Sequence, residues 1–143
     1  MNATGLDQLQ SRYSALLLLL PTAGAVPHYQ SRLPTRPTNN GDAHVERLDG
    51  ALHYVVTERG AELHRRVARD EDELLYWLME NVTWSLSNRM RQPWLSRLLG
   101  RDPRRHRFAT HVKLLETLDP SWADRRRRHH AELLERYPFR DRS

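Results

Sequence analysis

Between Asp124 and His130 the chain reads DRRRRHH, four arginines and two histidines within seven residues. Guanidinium groups hold phosphate or carboxylate through paired N–H donors, so such a run is the chemistry of an anion grip. A second basic group, Arg104, Arg105 and Arg107, lies in DPRRHRF. Eight histidines offer imidazole for metal binding or proton transfer. Cysteine is absent, which removes disulfides, thiolate zinc sites and thiol catalysis.

Helical geometry divides the arginine run. At about 100° per residue, four consecutive side chains sweep most of a helix circumference and cannot form one stripe. Trp122, Leu133 and Tyr137 define the buried face of the last helix, with Arg126 at its centre and His130 nearby. Arg128 falls opposite, where four-residue spacing pairs it with Asp124 and Glu132. Arg125 and Arg127 point to separate flanks. The run therefore reads as a charged helix with one arginine directed inward. Arg104, Arg105 and Arg107 oppose the dipole of the helix they open, at some tenths of a kcal/mol each. Internal carboxylates are expected to compensate, from the sheet region or from Glu71-Asp72-Glu73, with an external anion as the alternative.

The histidines do not gather. His44 and His64 are expected on outer strands with Val55 between them, about 10 Å apart and too far for one ion. His53 is placed beside Glu46 and Arg66 in a surface ion cluster. His106 and His111 are five apart and His129 and His130 adjacent, so neither pair shares a helical face. Ser85, Ser87 and Ser96 lack a nucleophile-elbow context, and no glycine loop cradles a phosphate. Trp77 and Trp84, seven apart, read as core rather than as a base or sugar platform. No catalytic residue, metal or cofactor is expected.

The elements that must carry these residues follow from patterning. The 143 residues suffice for one domain with a core, and 1–143 is read as a single domain. Residues 1–25 form an N-terminal helix with Leu6, Leu9, Tyr13, Leu16, Leu17 and Leu20 at helical spacing. The run Ala15–Ala25 is read as helix in preference to a secretory signal, since Asp7 and a lone arginine precede it. It is too short to span a bilayer. Residues 26–42, rich in proline, form a loop.

Residues 43–68 read as a three-stranded meander turning at Asp49-Gly50 and Arg59-Gly60, so that Leu48 pairs with Ala51 and Glu58 with Ala61. That register puts Val45, Leu52, Tyr54, Val56, Leu63 and Val67 on one face, interrupted by Arg47 and Arg65. His44, Glu46, Leu48, His53, Val55, Thr57, Glu62, His64 and Arg66 take the other. Residues 70–137 form three to four helices, begun at Asp70, Asp102-Pro103 and Asp119-Pro120. The fold class is α+β, an N-terminal helix, an antiparallel meander and C-terminal helices packed on one sheet face. Charge is uneven: residues 42–80 hold 10 acids and 5 bases, −5, and residues 81–143 hold 7 acids and 15 bases, +8.

LHYVVTERGAEL (Leu52–Leu63), ELLYWLMENVTWSLS (Glu73–Ser87), DPRRHRF (Asp102–Phe108), DPSWADRR (Asp119–Arg126) and ELLERYPFRD (Glu132–Asp141) occur in one order. Together they resemble the immunity protein 63 family of bacterial polymorphic-toxin systems, over about His44 to Asp141. The resemblance implies an α+β protein that protects its producer by binding and occluding a cognate toxin domain, with no catalysis and no cofactor. The protein is accordingly expected to be cytoplasmic, with a toxin domain as its protein partner and neither nucleic acid nor membrane as one. It assigns no contact residues. The polar sheet face, Glu46, His53, Val55, Thr57, Glu62 and His64, is expected to be rigid and to present an exposed valine among adaptable polar groups. It is our expected contact, with the Arg104/Arg105 helix start as the alternative. The competing reading is a nucleic-acid-binding regulator using Arg104–Arg107 and Arg125–Arg128.

Overall fold

A computed structural model describes residues 5–21, 26, 30–90 and 93–142. The order is α1 (Asp7–Leu19), β1 (Asn40–Leu48), β2 (Ala51–Glu58), β3 (Ala61–Ala68), α2 (Glu71–Arg89), α3 (Pro93–Leu98), α4 (Pro103–Leu118) and α5 (Pro120–Arg136). The protein is α+β, with one antiparallel sheet ordered β1-β2-β3. Two compact units meet within α2, residues 1–78 and 79–143.

In the first unit, α1 buries Leu9, Tyr13 and Leu17 as one stripe, while Leu18 and Leu19 of the same leucine run face outward. The helix expected to run to residue 25 ends at Leu19, with Leu20 in extended backbone ahead of Pro21, and residues 22–25 lie outside the described residues. The proline-rich connection is tied down: Gln10 Oε1 accepts from the Leu33 N–H, and the Tyr13 hydroxyl donates to the Gln30 carbonyl at 2.6 Å. Strand β1 starts earlier than the patterning implied, at Asn40. Asn39 before it, at φ 58, accepts the Arg59 and Gly60 amides and so braces the second hairpin turn.

Both turns have two central residues at positive φ, Asp49-Gly50 and Arg59-Gly60, the backbone that matches strand twist. Their registers are those expected, Leu48 with Ala51 and Glu58 with Ala61. The second register does not persist. A bulge after Thr57–Glu62 makes Leu63 an extra residue, so Val56 pairs with His64, Val55 with Arg65 and Tyr54 with Arg66. One added residue turns every later side chain of β3 to the opposite face. Leu63 and Val67, expected in the core, are exposed, and Ala68 is buried instead. Arg66, expected on the polar face, lies 4.0 Å over the Trp77 ring, and Trp77 meets Tyr54 edge-on at 5.8 Å. The first turns of α2 therefore lie on the Tyr54 face.

Helix α2 is capped reciprocally, with Asp70 Oδ1 accepting from the Glu73 N–H and Glu73 Oε1 from the Arg69 N–H. Leu74 to Met79 are six consecutive buried residues, which makes this a central helix rather than one with a single apolar stripe. In the second unit, Asp102 and Asp119 cap α4 and α5 ahead of Pro103 and Pro120, as the two Asp-Pro pairs implied. His111, Val112, Leu114, Leu115, Trp122 and Ala123 form its core with Val82 and Leu86. Tyr137, expected to be buried, is 63% exposed: α5 ends at Arg136, and Tyr137 turns off its face at φ −132.

Candidate functional site

The residues expected to form one polar sheet surface do not lie together. Glu46, His53 and Glu62 do, around an arginine. Arg65 meets Glu62 at 2.6 Å and Glu46 at 3.2 Å, and donates to His53 Nδ1 at 3.0 Å. The expected arginine was Arg66; the bulge substitutes its neighbour. Glu46 also accepts from His44 Nε2 at 2.7 Å. The His44 bond first, then Arg65, holds the Glu46 carboxyl below the usual range, and Arg65 does the same for Glu62. Val55 is 0% exposed and Thr57 8%, so neither is offered to a partner. His64 is exposed, but pairs with Val56 and so belongs to the opposite face. The exposed valine of this face is therefore not Val55 but Val67, which the bulge brings opposite His53. His44 is itself fully buried. Both sheet faces are closed near their centres, where only one was expected to be.

The helix start at Arg104 and Arg105 is compensated internally, by nearer acids than those of the sheet or of Glu71–Glu73. Arg104 pairs with its own cap, Asp102, at 2.9 Å, and donates to the Tyr137 and Pro138 carbonyls. Arg105 pairs with Asp141 at 2.6 Å. Both guanidinium groups lie on Phe139, at 5.5 and 4.1 Å from its ring centre. Asp102 accepts the Arg140 amide and Asp141 accepts the Asp102 amide. Two arginines with no reason in the helix itself therefore clasp the C-terminal tail. Arg104 above all, with the Arg140 and Arg104 amides, drives the Asp102 carboxyl far below its ordinary range.

Arg107, Arg126 and Arg127 are also engaged, whereas Arg128 is exposed. Arg107 stacks at 3.3 Å over the Trp84 ring. Arg126 is directed inward as its helical position required, and it meets Glu80 at 2.7 Å. Arg127 takes Asp124 and Glu116. Asp124 is thus paired with the residue three positions on rather than with Arg128, as four-residue spacing had implied.

These residues enclose a hollow of about 500 Å³ within the second unit, a feature that patterning did not indicate. Trp84, Phe108, Leu133 and Tyr137 supply its apolar wall, and Arg104, Arg107, Arg126 and Glu80 its charges. His130 stacks on Phe108 with ring centres 4.0 Å apart and planes 11° from parallel. Burial, then the Arg126 charge, pushes the His130 imidazole down to about 4 and His111 down to about 3. Both are therefore neutral near pH 7. A stacked neutral ring, guanidinium groups and one carboxylate suit the holding of an apolar body with an acidic group. The signal in sequence is spread over positions 80 to 137, on four helices, and no local motif marks it. Among the described residues no three His, Asp or Glu side chains come together as a metal site requires.

The family model described as Immunity protein 63 matches residues 49–132, more than half of the chain. The match takes in β2 through most of α5 and stops before the clasped tail, so most of the quoted ELLERYPFRD ending lies outside it. No curated protein and no solved structure matches.

Proposed function

This chain belongs to the immunity protein 63 family, and from that premise we propose that it binds a cognate bacterial polymorphic toxin and neutralises it by stoichiometric occlusion in the cytoplasm, without catalysis. The family match is the observation that carries the reading. Its support in the geometry is that the conspicuous basic groups serve the protein's own fold. Arg104, Arg105, Arg126 and Arg127 each pair with an internal carboxylate, and Arg107 covers a tryptophan. A phosphate-tracking surface keeps its guanidinium groups for the nucleic acid and avoids interleaved acids. That argument weighs against the nucleic-acid reading.

The direct test is co-expression with the toxin domain encoded by the neighbouring reading frame. Rescue of growth, with a one-to-one complex on size-exclusion chromatography, is expected. If growth is not rescued although both proteins are produced, or the locus encodes no toxin, the reading fails.

A further inference from the structure

We infer that the toxin docks on the open hollow of the second unit and the helix α3 beside it, inserting an apolar or aromatic side chain flanked by a carboxylate. This rests on the toxin-binding reading and adds the surface and the chemistry of what it receives.

Three observations converge. Residues 79–143 carry 15 basic and 8 acidic residues, a net +7, and although Arg104 and Arg126 of the hollow pair with Asp102 and Glu80, that excess leaves the surface around it positive. An acidic partner is the electrostatic complement. Next, the wall is aromatic and aliphatic, and its concavity has the size of a well-formed ligand pocket. Buried aromatic or aliphatic anchors in such pockets dominate interface energetics. Last, α3 exposes Trp94 (63%) and Leu98 (74%), one turn apart, with Leu99 following them. Leu99 lines a smaller cleft that shares Ser96 and His106 with the hollow, so the two concavities adjoin. Large apolar side chains exposed together beside a concavity mark an interaction site. On the sheet, Arg65 is held between Glu46 and Glu62, and the exposed apolar side chain beside them is the single Val67.

The experiment has two arms on the full chain. In the first, N-acetyl-Asp-Phe-Asp-amide and N-acetyl-Lys-Phe-Lys-amide are titrated while NMR follows the Trp84 indole and Leu133 methyl signals. The acidic peptide is expected to shift both signals saturably, the basic one to leave them unmoved, and Leu133→Trp, which fills the hollow, to weaken the response at least tenfold. Equal shifts with both peptides, or none with the acidic one, overturn the inference. In the second arm, calorimetry measures binding to the toxin domain. Leu133→Trp and the surface change Trp94→Ser are expected to weaken it at least tenfold, with Glu46→Lys and Glu62→Lys within twofold of wild type. Undiminished binding by the natively folded Trp94→Ser and Leu133→Trp proteins sinks the docking surface and leaves the toxin reading standing. If wild-type protein binds no toxin, that reading is what fails, and the peptide arm alone decides the hollow.

Discussion

Arg126 Nη2 lies 2.7 Å from a Glu80 carboxylate oxygen, with the arginine side chain 12% exposed. One arginine of a four-arginine run is thus used to join α5 to α2, and its charge bears on both buried histidines nearby. Removing one partner of a largely buried pair strands the other charge, which costs more than the pair itself contributes. Arg126→Ala is expected to destabilise by about 2–4 kcal/mol, and Arg126→Ala with Glu80→Ala by less than the sum of the two single changes. Urea denaturation in a double-mutant cycle checks this. Strict additivity would show that the pair is not energetically coupled.

His111 and His130 make stability acid-sensitive at an unusually high pH. Their folded values, about 3 and 4, lie below the 6.5 of the unfolded chain. The unfolded state therefore takes up protons first, and the contribution is complete above pH 6.5 and eroded as pH falls toward those values. Loss on the order of 2–3 kcal/mol per histidine is expected by pH 4. His130→Phe, which retains a ring against Phe108, should flatten the slope between pH 6.5 and 4. Thermal melts across that range would show it, and an unchanged slope would contradict the assignment.

Asp102 unites a helix cap, an ion pair and the tail clasp. Asp102→Asn is expected to cost about 1–3 kcal/mol and to raise amide exchange at Arg140. Because its carboxyl is depressed in the folded protein, the contribution is complete above about pH 4 and is lost on further acidification. The same clasp constrains Gly100. At φ +69, a Cβ there would stand 3.0 Å from the Arg142 carbonyl oxygen. Gly100→Ala should cost about 1 kcal/mol or more, with faster proteolysis of the tail as the second readout.

Leu63 is the residue that the bulge leaves unpaired. Its deletion should make β3 regular while keeping Arg65 on Glu46 and Arg66 on Trp77, at a stability within about 1 kcal/mol of wild type. NMR contacts between Arg66 and Trp77 test this directly. Their loss in a folded deletion protein would mean that the faces of β3 are not set by that extra residue.

Local chemistry was legible from the chain alone wherever one or two residues decide it. Asp-Pro sets a helix start, Asp49-Gly50 sets a hairpin, and the 3.6-residue repeat sends Arg126 inward. These rest on contacts between near neighbours in sequence, so their spacing states them. The family membership was legible for a related reason, since it lies in the order of such segments. What only the tertiary structure decided depends on groups far apart in the chain. Asp141 and Asp102, not the sheet acids, answer Arg105 and Arg104. A single unpaired residue in β3 sends Arg65 to Glu46 and His64 away from it. The hollow exists because four helices each contribute to its lining. Periodicity identifies which side of an element is apolar; it carries no information about how many residues a bulge absorbs or which distant surface arrives opposite.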